Sequence, residues 1–134
     1  MRLNTKDITY YNQPFDHWVL DNFLDVNDAK KLSNQFIDFD NPTEEIIHYK
    51  GWIGEKRTCN RWDRFPPLTY STFSNLLSDK FIDKLSDITG ISPLYPDIGL
   101  HGGGWHMSGK GGSLAMHLDY SIQPKMKLQR KLNL

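Results

Sequence analysis

The chain has 134 residues and a mass of 15.6 kDa, the size of one domain. Hydrophobic residues make up 38% and aromatic residues 13%, enough to build a core and exclude global disorder. The 16 basic and 16 acidic side chains cancel, which argues against an acidic solvating tail or a strongly basic nucleic-acid binder.

The charge is unevenly spread. Residues 1–97 carry 11 basic and 15 acidic groups, a balance of −4; residues 98–134 carry 5 and 1, a balance of +4. The C-terminal part is therefore the one that attracts anions. Cys59 is the sole cysteine, so no internal disulfide forms, and the thiol reads as buried and inert. No apolar run approaches the ~20 residues that cross a bilayer. Met1 to Lys6 has no signal-peptide character, so the expectation is a soluble cytoplasmic protein.

In chain order, His17 to Leu24 reads as a short strand entering a turn. A helix follows from Asn27 to Phe39, with Asn27 as N-cap, Leu32, Phe36 and Phe39 as its stripe, and Asn41-Pro42 as its end. Glu45 to Tyr49 reads as a strand, and the rest of 43–67 as surface strand and loop forming a cleft wall. Thr69 to Leu77 is predicted helical. Ser78 caps a second helix, Asp79 to Thr89, with Phe81, Ile82, Leu85 and Ile88 as its stripe and Gly90 as its stop.

Beyond Pro96 the character changes. Seven of the fourteen positions 99–112 are glycine. Alternation then predicts a strand over 113–120 and a last strand over Leu128 to Leu134. Helices before strands predict an α+β fold with an antiparallel sheet. One domain is expected, with 1–97 a helical support region and 98–134 the sheet.

His117-Leu118-Asp119 is the most pointed tripeptide. On a strand, residues i and i+2 share a face, about 6.6 Å apart at ~3.3 Å per residue. An imidazole and a carboxylate then reach one ion, and together they are two thirds of the facial triad that holds ferrous iron. Gly104-x-x-x-x-Gly109-Lys110 nearly spells a P-loop, but Gly111 replaces the required Ser or Thr and a strand follows instead of a helix. His101-Gly102-Gly103-Gly104 is like an esterase oxyanion loop, without the downstream Gly-x-Ser-x-Gly. Arg57, Arg61, Trp62 and Arg64 form a small basic aromatic group that reads better as a surface loop than as a nucleic-acid site.

Gly102-Gly103-Gly104-Trp105-His106-Met107 and Gly111-Gly112-Ser113-Leu114 precede the tripeptide; Tyr120, Pro124-Lys125 and Arg130-Lys131-Leu132-Asn133-Leu134 follow it. This stretch, about a quarter of the chain, resembles the iron(II)- and 2-oxoglutarate-dependent oxygenases of the prolyl 4-hydroxylase-like branch. The resemblance implies a double-stranded β-helix, or jelly roll, with N-terminal helices packed on one sheet. It implies His117 and Asp119 as iron ligands, 2-oxoglutarate as cosubstrate, hydroxylation of a C–H bond, and a role for ascorbate. Cosubstrate contacts fall on His106, Lys131 and Asn133, with Lys110, Lys125, Lys127 and Arg130 as further cations able to draw a dianion. His106 is expected on a strand paired with His117 across the 109–112 turn. His17, His48 and His101 are expected to be structural.

The family places its second iron-binding histidine downstream of His-x-Asp. Only 15 residues follow Asp119, and none is histidine. The expectation is therefore the opening portion of such an oxygenase, inactive by itself. The alternatives are an interaction domain that keeps the fold's opening half, or a metal-binding protein with an incomplete site. The substrate, small molecule or peptide, stays open. A half-built sheet with exposed leucines predicts a homodimer and no membrane partner.

Overall fold

The computed structural model describes residues 3–36, 56–114 and 116–134. It is a mixed α+β structure with two small antiparallel sheets and three α-helices. The expected strand Glu45 to Tyr49, the helix end at Pro42, and Phe39, His48 and Ala115 lie outside the described residues.

The first sheet pairs β1 (Ile8–Tyr11) with β2 (His17–Leu20), in the register Ile8↔Leu20 to Tyr11↔His17. Strand β2 is the expected one, ending four residues earlier. Strand β1 is an addition that the sequence signals weakly, since Thr9, Tyr10 and Tyr11 show no polar alternation. Cross-strand rings hold the hairpin, with Tyr10 against Trp18 at 5.3 Å and Tyr11 stacked on His17 at 5.1 Å.

Helix α1 (Val26–Asn34) begins one residue before the expected cap. Asp25 is the N-cap, not Asn27: its carboxylate accepts from the Asn27 N–H at 2.8 Å and the Asp28 N–H at 3.4 Å. The helix stops before Phe36, whose ring instead meets Trp105 edge-on at 4.9 Å.

Helix α2 (Pro67–Leu76) opens on a proline at its first turn, where no N–H is needed. It buries Thr69 and Thr72, and the Thr72 hydroxyl donates back to the Leu68 carbonyl at 2.7 Å. Helix α3 (Asp79–Thr89) has the predicted bounds. Ser78 Oγ accepts from the Phe81 N–H at 3.4 Å, and Gly90 closes the end at φ 70° with its N–H on the Ser86 carbonyl at 2.8 Å. Phe81 and Leu85 are its buried positions, and Phe23 packs on Phe81 with ring centroids 6.0 Å apart.

The core gathers on the second sheet, β3 (Lys56–Cys59) paired with β4 (Trp105–Ser108). Cys59, Phe65 and Leu100 are buried there, with Trp62, Phe73, Leu77, Trp105 and Met107 packed against them. Phe65 and Phe73 stack at 5.1 Å, and the Trp62 indole N–H donates to the Ile98 carbonyl at 2.8 Å. A short 3-10 turn, Trp62–Arg64, delivers Trp62 and Phe65 to this cluster. The segment read as surface loop thus supplies core, and residues 1–97 hold strands as well as helices. Gly104 makes the sheet's close approach feasible. At φ 94°, a Cβ there would stand 2.3 Å from the Cys59 carbonyl oxygen.

Two expectations for the C-terminal part are corrected. Residues 113–120 and 128–134 form no strand among the described residues; Gln129 makes an isolated bridge to Ile122, outside the first stretch. Alternation prepares a segment for a sheet, but a strand exists only when a neighbour takes its N–H and C=O groups. His106 is the second correction. It lies on β4 opposite Thr58 of β3, not opposite the His117 segment.

Candidate functional site

A turn and a loop position the site. Gln123 organises the turn: its side-chain oxygen accepts from the Lys125 N–H at 2.6 Å and the Met126 N–H at 2.5 Å. Lys127 closes it at φ 57°. The chain then runs back antiparallel, with the Gln123 N–H on the Leu128 carbonyl and the Arg130 N–H on the Ser121 carbonyl, both at 2.8 Å. Gln123 Nε2 also donates to Asp97 Oδ1 at 3.2 Å, and Asp97 Oδ2 accepts from the His101 N–H at 2.8 Å. Asp97 therefore ties the start of the glycine-rich run to the turn that carries Arg130.

On that frame His117 and Asp119 meet. Nε2 of His117 lies 3.4 Å from Oδ1 of Asp119, and both side chains are 49% exposed. The two meet although the described residues of 113–120 form no strand, so the contact does not come from the expected strand alternation. Arg130 holds the other carboxylate oxygen, with Nη1 at 3.1 Å from Oδ2. Its guanidinium carbon sits 4.9 Å from the Tyr120 ring centroid, and its Nη2 donates to Asn133 Oδ1 at 2.5 Å. The Tyr120 hydroxyl donates to the His101 carbonyl, and the His101 ring stands edge-on to Tyr120 at 5.0 Å. Gly102 lies against the same ring.

The other candidates fall in different places. Lys131 and Asn133 line a cavity of about 490 Å³, together with His101, Tyr120 and Arg130. Its apolar wall comes from Leu76 of α2, Ile82 and Leu85 of α3, and Leu128 and Leu132. That volume is typical of a small-molecule cleft. His106 is exposed, and its Nε2 lies 3.2 Å from the Gly103 carbonyl oxygen. Lys110, Lys125 and Lys127 are exposed on turns. Arg130, one of the cations expected to draw a dianion, is the one that stands at the Asp119 carboxylate. The signal for it is the antiparallel return 121–130, which only tertiary structure reveals.

Metal–nitrogen and metal–oxygen bonds of about 2.0–2.2 Å put neighbouring donors of one ion about 3 Å apart. The 3.4 Å between His117 and Asp119 is close to that separation, so the pair fits as two ligands of one ion. Among the described residues no group of three or more His, Cys, Asp or Glu side chains surrounds a common point. No helix among them is long and apolar enough to cross a membrane. Comparison with known proteins finds no family model, curated protein or solved structure that matches this chain.

Proposed function

We propose that this chain carries part of the iron site of a 2-oxoglutarate-dependent oxygenase of the prolyl 4-hydroxylase-like kind, built on the opening strands of a jelly roll. The observation that carries the reading is the 3.4 Å approach of His117 Nε2 to Asp119 Oδ1, directly after a glycine-rich run and beside a cationic cavity. His117 and Asp119 would hold ferrous iron through Nε2 and Oδ1. With 2-oxoglutarate and dioxygen, the iron would supply oxidative chemistry in which one oxygen atom hydroxylates a C–H bond and the other enters succinate as the cosubstrate loses carbon dioxide.

The chain's own residues bind and orient. Arg130 fixes the Asp119 carboxylate, so one oxygen faces His117 while the other is occupied. Lys131 and Asn133, on the cavity wall, offer a cation and an amide to the far carboxylate of 2-oxoglutarate. His106 is a further polar contact on the cosubstrate side in this reading. Ascorbate would serve as reductant.

Iron retention in anaerobic equilibrium dialysis tests the reading. The unsubstituted chain should retain ferrous iron, and both His117→Ala and Asp119→Ala should lose it. Addition of 2-oxoglutarate should raise retention, whereas succinate, which lacks the 2-oxo group, should not. Retention that is indifferent to both substitutions would reject the reading.

A second reading is a non-catalytic interaction domain. The full exposure of Met116 and Leu118 favours it, since large apolar side chains standing in water mark contact surfaces.

A further inference from the structure

The wall of the cavity of about 490 Å³ is mostly aliphatic. Helices α2 and α3 contribute Leu76, Ile82 and Leu85 to it, and Leu94, Leu128 and Leu132 add to them. Clefts of about 300–1,000 Å³ seat small molecules. A short dianion such as 2-oxoglutarate has no apolar surface to lay against these side chains, so the iron reading leaves most of the wall unused.

The polar groups on the wall decide the charge of what fits. Asp97, Arg130 and Lys131 are its Asp, Arg and Lys side chains. Asp97 is fully engaged: Oδ1 accepts from the Gly99 N–H and from Gln123 Nε2, both at 3.2 Å, and Oδ2 accepts from the His101 N–H at 2.8 Å. Arg130 is neutralised by Asp119 at 3.1 Å. The Tyr120 hydroxyl is used on the His101 carbonyl, and the Gln123 oxygen on the Lys125 and Met126 N–H groups. Lys131 is in no ion pair among the described residues. Beside it Asn133 gives its oxygen to Arg130, which leaves its amide nitrogen as a donor. One uncompensated positive charge therefore stands next to an aliphatic wall. A cationic ligand would be repelled by Lys131, and a second anionic group would be set against leucines.

We propose that this cavity binds an aliphatic monocarboxylate of medium chain length, its tail on Ile82, Leu85, Leu128 and Leu132 and its carboxylate on Lys131 Nζ and Asn133 Nδ2. Burial of the tail supplies the affinity, and the single cation selects the head group. Lys131 is exposed, so its ammonium stays hydrated while the tail is covered, and the desolvation cost of the pair stays low. The inference goes beyond the iron reading and needs no metal. That reading offers the same Lys131 and Asn133 to a cosubstrate carboxylate, so the two anions would exclude one another.

Calorimetric titration of the full chain with hexanoate, octanoate and decanoate, without metal and below micelle-forming concentrations, tests it. One acid should bind per chain, with Kd falling about fourfold for each added CH₂ group. Decylammonium should bind about tenfold more weakly than decanoate, because its charge meets Lys131. Lys131→Met keeps an unbranched apolar stem and removes the charge; it should weaken decanoate binding several-fold and leave decanol binding unchanged. Leu128→Asp sets a carboxylate in the wall at a position that is 40% exposed, where the fold tolerates it. It should weaken decanoate binding by about tenfold or more, with the circular dichroism unchanged. No binding heat with millimolar decanoate, a Kd indifferent to chain length, or equal binding of decylammonium would overturn the proposal. So would decanoate binding that neither substitution weakens, which would place the acid elsewhere. The titration contains no iron, so its failure and the failure of His117 and Asp119 to hold iron are separate results.

Discussion

Arg130 and Asp119 lie eleven residues apart in sequence, yet the guanidinium Nη1 stands 3.1 Å from the carboxylate Oδ2. The same carboxylate turns Oδ1 towards His117. Asp119 is thus shared between a permanent cation and an imidazole, and a metal ion at Oδ1 would bind in the field of Arg130. Replacing Arg130 with Ala should therefore strengthen Co²⁺ binding several-fold, because a positive charge is removed from beside the ligand. The fold should weaken by only about 0.5–1.5 kcal/mol, the loss of a half-exposed ion pair and the Tyr120 stack. Paired metal titration and urea unfolding check both signs.

Gly104→Ala should be among the most damaging single substitutions. The new Cβ would fall 2.3 Å from the Cys59 carbonyl oxygen and 2.9 Å from Asn60 Cα, at φ 94°. Backbone must move on both sides of the β3–β4 pairing, at a cost of roughly 2–4 kcal/mol. A thermal midpoint within a degree or two of the unsubstituted chain would contradict this.

The ends of α3 should respond separately. Ser78→Ala removes the side-chain acceptor for the Phe81 N–H and should cost about 1 kcal/mol. Gly90→Ala meets no neighbouring atom but must adopt φ 70°, so its cost of roughly 1 kcal/mol comes from backbone strain alone. The two sites lie at opposite ends of the helix, so the double variant should show the sum of the separate losses in denaturant titration.

Asp63 gives a pH signature. Arg61 grips it with two hydrogen bonds, from Nε to Oδ1 at 3.1 Å and from Nη2 to Oδ2 at 2.7 Å, and holds its carboxyl below the ordinary carboxylate range. A lowered folded-state value means the contribution is present above the unfolded carboxyl's titration range. It is lost as pH falls through the folded one. Asp63→Asn should therefore lower the urea midpoint slightly at neutral pH. The gap between the two proteins should close on acidification through the Asp63 carboxyl's lowered range. A gap that widens in acid would reverse the sign.

Succinate release is expected to remain at background when the 134-residue chain receives iron, 2-oxoglutarate and ascorbate. Two ligands per chain retain ferrous iron weakly, and Lys131 and Asn133 alone offer a loose hold on the cosubstrate. Turnover that is stoichiometric with a consumed substrate and abolished by His117→Ala would show the chain to be sufficient.

The sequence was most legible where the cause was local. Ser78, the Phe81 and Leu85 spacing and Gly90 define α3 by capping and periodicity, and its bounds agree to the residue. The His117–Asp119 approach was expected from strand alternation, yet it stands on a segment that forms no strand among the described residues. Strand β3 was not legible: Lys56 to Cys59 is charged and polar, and only its pairing with Trp105 to Ser108 makes it a strand. The Arg130–Asp119 contact was likewise not legible, because a turn built on Gln123 and Lys127 decides which cation returns to Asp119. The last stretches failed in the opposite direction. Leu114, Met116 and Leu118 alternate well but have no neighbouring strand among the described residues.

The burial of Cys59 also gives the chain a built-in clock. Its thiol, the only one present, is packed under Phe65 and Leu100 at the end of β3, opposite Trp105. An alkylating reagent can reach it only when the β3–β4 sheet opens. The labelling rate relative to a free thiol therefore measures how often that sheet comes apart under native conditions. A single mass shift would report the loosening of this sheet by any of the substitutions above, without denaturant and without an added probe.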